Sequence, residues 1–198
     1  KNPFHPSTYA HFVARKDYRK TYDVYKDDTL LNRQPKKSRK IFVCLDEQRG
    51  QYLVDGLVAM DFPLSSGVKA YPTKTGDYAV ISKKEDHTSN LYGKMYDAEG
   101  KCINYNAEST DPIPEGGRFD GSPMPYWQRL TNAGLGLHVG KVRRHPVSHG
   151  CVRLPRNVAE ILYRQTSIGT PVTIQKTPLP VPEAQKIPPA QQPVSYTH

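Results

Sequence analysis

Apolar residues fall in short runs broken by polar stretches rich in Gly, Pro, Asp and Asn, the pattern of a strand-rich domain rather than of long helices. Ile-Phe-Val-Cys-Leu at 41–45, the polar loop Asp46-Glu47-Gln48-Arg49-Gly50 and Gln-Tyr-Leu-Val at 51–54 predict a hairpin. A further strand is expected over 57–64. Tyr71-Pro72-Thr73-Lys74-Thr75-Gly76 punctuates the chain before another strand-like run at 77–81. From 82 to 121 the chain is polar with little periodicity and is expected to form long loops carrying short strands, the kind of segment that often bears function. The clearest helix spans 155–163: Pro155 suits a first turn, and Val158, Ile161 and Leu162 share a face. Gly169 lies beyond its end, and Pro171-Val172-Thr173-Ile174 returns to strand.

This patterning divides the chain into three parts. Residues 1–37 form a basic extension with Tyr9, Tyr18, Tyr22 and Tyr25, expected to pack partly on the core domain. Residues 38–176 form that single domain, and 177–198, with six prolines, a solvated and partly extended tail. Both ends read first as spacers.

Charge changes the picture next. Lys and Arg number 28 against 19 Asp and Glu, a formal charge of +9 that favours anionic partners. The basic residues are scattered and no nucleic-acid-binding signature accompanies them, so no nucleic acid is expected and an anionic cell envelope fits the same charge. Cys44, Cys102 and Cys151 are too few for a disulfide scaffold, and an odd count leaves at least one thiol free. Cys44 reads as core. Whether it pairs with Cys102, in a polar loop, is left open. No apolar run is long enough for a membrane span or a signal-peptide core, which leaves an exported location open.

Candidate chemistry concentrates in residues 134–154, which hold three His, one Cys, four Gly and four cations. Thiolate chemistry needs a cysteine whose proton is easily lost. His149, Arg153 and a helix N-terminus just ahead, if the helix starts near Pro155, are the features expected to favour the Cys151 thiolate. Gly150 permits a tight turn that could aim the N–H groups of Gly150 and Cys151 at one point, as an oxyanion hole requires.

Ser148-His149-Gly150-Cys151-Val152-Arg153-Leu154 resembles the Ser-His-Gly-Cys-hydrophobic-Arg signature of the L,D-transpeptidase (YkuD-type) family, and His138 falls where that family has its upstream histidine. Tyr71 to Gly76 resembles the family's Pro-Thr-x-x-Gly turn, with Lys74 where a second proline is common. Ser89-Asn90-Leu91-Tyr92-Gly93 and Pro123-Met124-Pro125-Tyr126-Trp127 resemble further family segments. The resemblance covers about 140 residues. It implies a mainly β fold with a minor α part, a β-sandwich or barrel with one or more short helices, one of them after the cysteine loop. It also implies an exported, periplasmic or envelope enzyme of cell-wall biogenesis that works without cofactor or metal. Peptidoglycan stem peptides would be its substrates, D-amino acids its alternative acceptors and carbapenems its inhibitors. The protein is expected to act as a monomer.

Implied roles attach to individual residues. His138 takes the thiol proton, and Cys151 attacks a stem tetrapeptide, expels its terminal D-Ala and forms a thioester that an amine resolves. In the family the partner that orients this histidine is often a backbone carbonyl, so the Val139 carbonyl is the candidate here, although many relatives have Gly directly after that histidine. Ser148 and His149 support the loop by hydrogen bonds. Arg153 suits a substrate carboxylate, and Tyr126 and Trp127 either line a groove or pack a core.

Other readings use the same residues. A thiol hydrolase or L,D-carboxypeptidase would differ only in admitting water to the thioester. A silent envelope-binding module would leave the Cys–His pair without purpose. Zinc held by His138, His145, His149 and Cys151 lacks a second Cys or a nearby acid to complete a familiar pattern, and His145 is most simply a solvated loop residue.

Overall fold

The computed structural model describes residues 8–186. Its elements in chain order are α1 (Tyr9–Val13), β1 (Tyr25–Lys26), α2 (Asp28–Leu31), β2 (Arg39–Cys44), β3 (Arg49–Val54), β4 (Leu57–Pro63), β5 (Gly76–Ala79) and β6 (Ser82–Lys84). Next come β7 (Thr88–Tyr96), β8 (Cys102–Glu108), β9 (Arg118–Pro123), β10 (Trp127–Arg129), β11 (Gly136–Val139), β12 (Val152–Leu154), α3 (Arg156–Gln165) and β13 (Pro171–Gln175), then a 3-10 turn at Glu183–Gln185. The fold is mainly β, as expected, in three sheets ordered β1-β4-β3-β2-β13-β5, β12-β11-β10-β6 and β8-β7-β9.

The first sheet grows from local signals. β2 and β3 form the expected hairpin, and Asp55-Gly56 joins β3 to β4 with φ of 52° and 78°, the paired positive angles of a two-residue turn matched to strand twist. Ile41, Val43, Tyr52, Val54, Met60 and Phe62 from these strands build the core, and α3 buries Val158, Ala159 and Leu162 against it. Pro155 is the residue capping α3 rather than part of its first turn, and the helix runs to Gln165, past the expected end.

Two expectations fail here. Residues 82–121 are not loops with short strands: β7 alone spans nine residues and, with β8 and β9, forms a separate antiparallel sheet. Most of its side chains are exposed on both faces, so no alternation of apolar and polar residues marks it in the sequence. The segment after Lys176 is not simply solvated either. Leu179 and Val181 pack on a second core of Tyr9, Phe12, Tyr18, Tyr25 and Val58, and the Gln185 amide bonds both backbone groups of Val58 at 2.8 and 3.0 Å, closing an open strand edge. The rest of the Pro-rich tail lies outside the described residues.

That second core surrounds an ion pair. Arg49 and Asp61 meet at 2.6 Å with both side chains 0% exposed. Asp61 also accepts from Tyr9, Tyr18 and Gln51, while Arg49 donates to the carbonyls of Thr21 and Asp23. Every bond from the N-terminal segment here offsets the desolvation of a buried charge.

Candidate active site

The second sheet sets the geometry. β11 and β12 run parallel with Leu137 beside Val152 and His138 beside Arg153, and β10 is antiparallel to β11 with Gln128 beside Leu137 and Arg129 beside Gly136. Paired residues project to the same side of a sheet and neighbours along a strand to opposite sides. Gln128, Leu137 and Val152 are therefore buried together toward the core. Trp127, Arg129, His138 and Arg153 share the other side, and Cys151, just before the strand at Val152, is acted on by Gly136 N–H, Arg129 and Arg153.

His138 is buried, its Nδ1 2.7 Å from the Val139 carbonyl. A carbonyl can only accept, so the proton sits on Nδ1 and Nε2 carries the free lone pair. Burial, reinforced by Arg153 and His87 and opposed by that hydrogen bond, holds the imidazole pKa down to about 4. The Cys151 thiol donates to the Gly134 carbonyl at 3.2 Å, and burial pushes it above the usual thiol range although Gly136 N–H, Arg129 and Arg153 act the other way. Cysteine and histidine are therefore both neutral at rest.

This reverses the expectation that local cations and a helix N-terminus free the thiolate. β12 intervenes between Cys151 and α3, a separation of about 10 Å for three strand residues, and a helix end acts only over its first turn. Desolvation then outweighs the two arginines.

The loop before Cys151 is held by residues 65–73. Ser65 bridges Arg153, Ser66 accepts from the backbones of Val147 and Ser148, and Gly67 N–H donates to Thr73 Oγ1 at 2.8 Å, which in turn donates to the Gly150 carbonyl at 2.6 Å. A Cβ on Gly67 would fall 2.1 Å from the Tyr71 carbonyl and 2.8 Å from Gly150 Cα, so only glycine lets these strands of the loop meet. Gly150 has φ of +123°, again a glycine conformation. Thr73 and Gly67 were not among the residues the sequence singled out for the site; the Pro-Thr-x-x-Gly turn was the available signal.

The other expected residues divide. Buried Ser148 donates to the Cys151 carbonyl and accepts from Gly150 N–H at 3.1 Å. That bond consumes the Gly150 donor assigned to an oxyanion hole, leaving Cys151 N–H of the two. His149 is exposed and, among the described residues, makes ring contacts rather than side-chain hydrogen bonds: it stacks on Tyr92 at 4.4 Å and 13° and meets Tyr71 at 5.0 Å, linking the third sheet to the cysteine loop. Trp127 is 3% exposed and packs between His87 (4.8 Å) and His138 (6.0 Å), so it backs the histidine instead of lining a groove. Tyr126, with φ of 54°, packs edge-on to Tyr163 at 5.5 Å. Arg153 is half-buried and has no ion pair among the described residues; its stem crosses Gly140, where a Cβ would lie 2.7 Å from Cγ. His145 is exposed in its loop, and Cys44, Cys102 and Cys151 are all free thiols.

A mainly β domain with cysteine and histidine on one sheet face defines a thiol-bearing site on a strand-built scaffold. Residues 38–174 match the YkuD L,D-transpeptidase catalytic domain, and the chain belongs to this family of enzymes. Probable L,D-transpeptidase 3 of Mycobacterium tuberculosis is 31% identical over 121 residues, covering 58% of this chain and 38% of that protein. The solved L,D-transpeptidase from Mycobacterium smegmatis superposes with a TM-score of 0.53 at 22% identity, covering 70% of this chain and 58% of that one. A cysteine-to-serine mutant of Enterococcus faecium L,D-transpeptidase is 27% identical with a TM-score of 0.51, covering 70% and 50%. The chain thus spans well under two thirds of these relatives' lengths.

Proposed function

We propose that the protein is an exported peptidoglycan L,D-transpeptidase in which Cys151 is the nucleophile and His138 the base. The observation that supports this reading is the pairing of His138 with Arg153, two places beyond Cys151, while Val139 holds the imidazole with Nε2 unprotonated. Residues 38–176 form the catalytic unit in this reading, with the preceding segment as a brace.

Because both groups are neutral at rest, proton transfer accompanies attack rather than preceding it. Nε2 of His138 accepts the thiol proton as Sγ adds to the carbonyl ahead of a stem tetrapeptide's terminal D-Ala. Cys151 N–H faces the developing oxyanion. The C–N bond then breaks, the departing D-Ala amine takes the proton from His138, and a thioester remains. A stem side-chain amine or a D-amino acid attacks the thioester, passes a proton through His138 to the departing sulfur, and forms the new amide. Arg153, with no ion pair among the described residues and on the same face, suits a side-chain carboxylate of the stem peptide.

Incubating the protein with a disaccharide tetrapeptide and a D-amino acid, beside a Cys151→Ala control, tests this by mass spectrometry. Exchanged or cross-linked product dependent on Cys151 is expected. A shortened stem alone would replace the transferase with a hydrolase, and no Cys151-dependent product would refute both. A 27% identical relative was solved as an avibactam carbamoyl enzyme and another family structure holds imipenem, so a covalent carbapenem adduct is expected on Cys151 and not on Cys44 or Cys102.

A further inference from the structure

The face that carries Cys151 and His138 holds positive charge and no acid among its paired positions. Two adjacent rows cross it: Ser82, Arg129 and Gly136 in one, with Cys151 following at the chain position before the paired Val152, and Lys84, Trp127, His138 and Arg153 in the next. Neither row contains Asp or Glu. The groups acting electrostatically on Cys151, His138 and His87 are Arg129, Arg153, Lys84 and His87, again without a carboxylate.

Arg129 occupies a particular place in this arrangement. Its row neighbour toward Cys151 is Gly136, which has no side chain to block the way, and a Cβ there would fall 2.4 Å from the Trp127 ring. The Arg129 guanidinium lies over that ring, 5.4 Å from its centroid. Its one side-chain hydrogen bond among the described residues is a long one, 3.4 Å to the Thr131 carbonyl, and it belongs to no ion pair among them. A partly buried guanidinium with five N–H donors is thus held in place by an aromatic face while most of its donors stay uncommitted.

We propose that Arg129 is a specificity-determining residue that binds the free C-terminal carboxylate of the acyl donor, restricting the enzyme to peptides whose scissile bond is the last in the chain. This rests on the donor assigned under Proposed function. Two strand spacings, about 10 Å, separate the backbones of Arg129 and Cys151. The side chains reach inward from both ends, and the carboxylate of the leaving residue lies one residue, about 3.8 Å of chain, beyond the attacked carbonyl. A planar fork matches a carboxylate through two parallel hydrogen bonds, and the absence of acidic neighbours in the two rows leaves it free to do so.

The test uses the Cys151→Ala protein, which has no nucleophile at that position, with two probes: the stem tetrapeptide with a free terminal carboxylate, and the same peptide ending in D-alaninamide. Calorimetric titration is expected to show the acid binding at least 10-fold more tightly than the amide. Adding Arg129→Gln should bring the ratio within twofold, and Arg129→Lys should retain part of it. Equal binding of acid and amide, no binding of either, or a ratio unchanged by Arg129→Gln overturns the proposal. The acid–amide comparison needs no substitution at Arg129, so misfolding of a variant cannot decide it. Selective acid binding without any thioester on Cys151 of the wild-type protein would refute the proposed reaction and leave the carboxylate site standing.

Discussion

Thr73 Oγ1 donates to the carbonyl of Gly150 at 2.6 Å, a bond between residues 77 positions apart that ties a surface turn to the loop immediately before the candidate nucleophile. The same oxygen accepts from Gly67 N–H, so one hydroxyl serves as both donor and acceptor where three chain segments meet.

Replacing Thr73 with Ala should remove both bonds at a cost of about 1–2 kcal/mol in stability, and should slow Cys151 acylation about 10-fold through misplacement of Gly150. Thr73→Ser retains the hydroxyl and should restore most of the rate. Stopped-flow acylation by a β-lactam measures this. Equal rates in Ala and Ser variants would show that the hydroxyl has no positioning role.

The pH dependence comes from two neutral partners. His138 loses its basic lone pair only as pH falls through about 4, and the Cys151 thiol ionises only above the usual thiol range. Acylation kcat/KM should therefore be flat through neutrality and drop toward a midpoint near 4 on the acid side, set by His138. Iodoacetamide alkylation of the free protein should accelerate only at alkaline pH. Fast alkylation persisting well below neutrality would instead reveal a preformed thiolate–imidazolium pair.

Stability should carry the same signature. The folded His138 pKa of about 4 lies below the ordinary 6.5, so the unfolded chain binds the extra proton between these values and stability falls as pH drops through that window. The change amounts to about 3 kcal/mol. Denaturant titrations of wild type and His138→Gln should diverge in pH dependence across this range. Parallel curves would contradict the buried, neutral imidazole.

Asp61→Asn leaves Arg49 buried without its counter-charge and should destabilise the protein by about 3–5 kcal/mol, read from the denaturant midpoint. Tyr9→Phe and Tyr18→Phe each remove one bond to Asp61 and should cost about 1–2 kcal/mol.

Arg144 binds the N-terminal segment to the loop leading to Cys151. Its guanidinium donates to the carbonyls of Arg19, Thr21, Glu47 and Gln48, while Gln48 Nε2 donates to Ser66 Oγ and Ser66 accepts from Ser148 N–H. Arg144→Ala should lower acylation several-fold and expose the N-terminal segment to protease. Arg144→Lys keeps the charge but not the planar fork and should recover only part of the loss, whereas full recovery would mean that the several carbonyl bonds have no bracing role.

Local signals made part of this molecule readable. Alternating β-branched and aromatic residues mark β2, β3 and β4, an apolar stripe marks α3, Cys151 stands out because its neighbours Gly150 and His149 have no packing rationale, and His138 was legible through the resemblance to the family's upstream histidine. The third sheet left no such mark because it buries little on either face, and Leu91, Ile103 and Tyr105 remain exposed on it. Arg129 left none because its nearness to Cys151 arises across three strands, through the pairings of Arg129 with Gly136 and of Leu137 with Val152.

The sequence alone determined which side chains could do chemistry, since reactivity belongs to a residue type and turn geometry to its immediate neighbours. Only the tertiary structure decided their state. Burial held His138 and Cys151 neutral against the cations that sequence proximity had suggested would ionise the thiol, spent the Gly150 N–H on Ser148, and sealed Trp127 behind the histidine. Desolvation and hydrogen-bond partnership depend on which distant segments close over a group, and those are fixed by packing rather than by the order of residues around it.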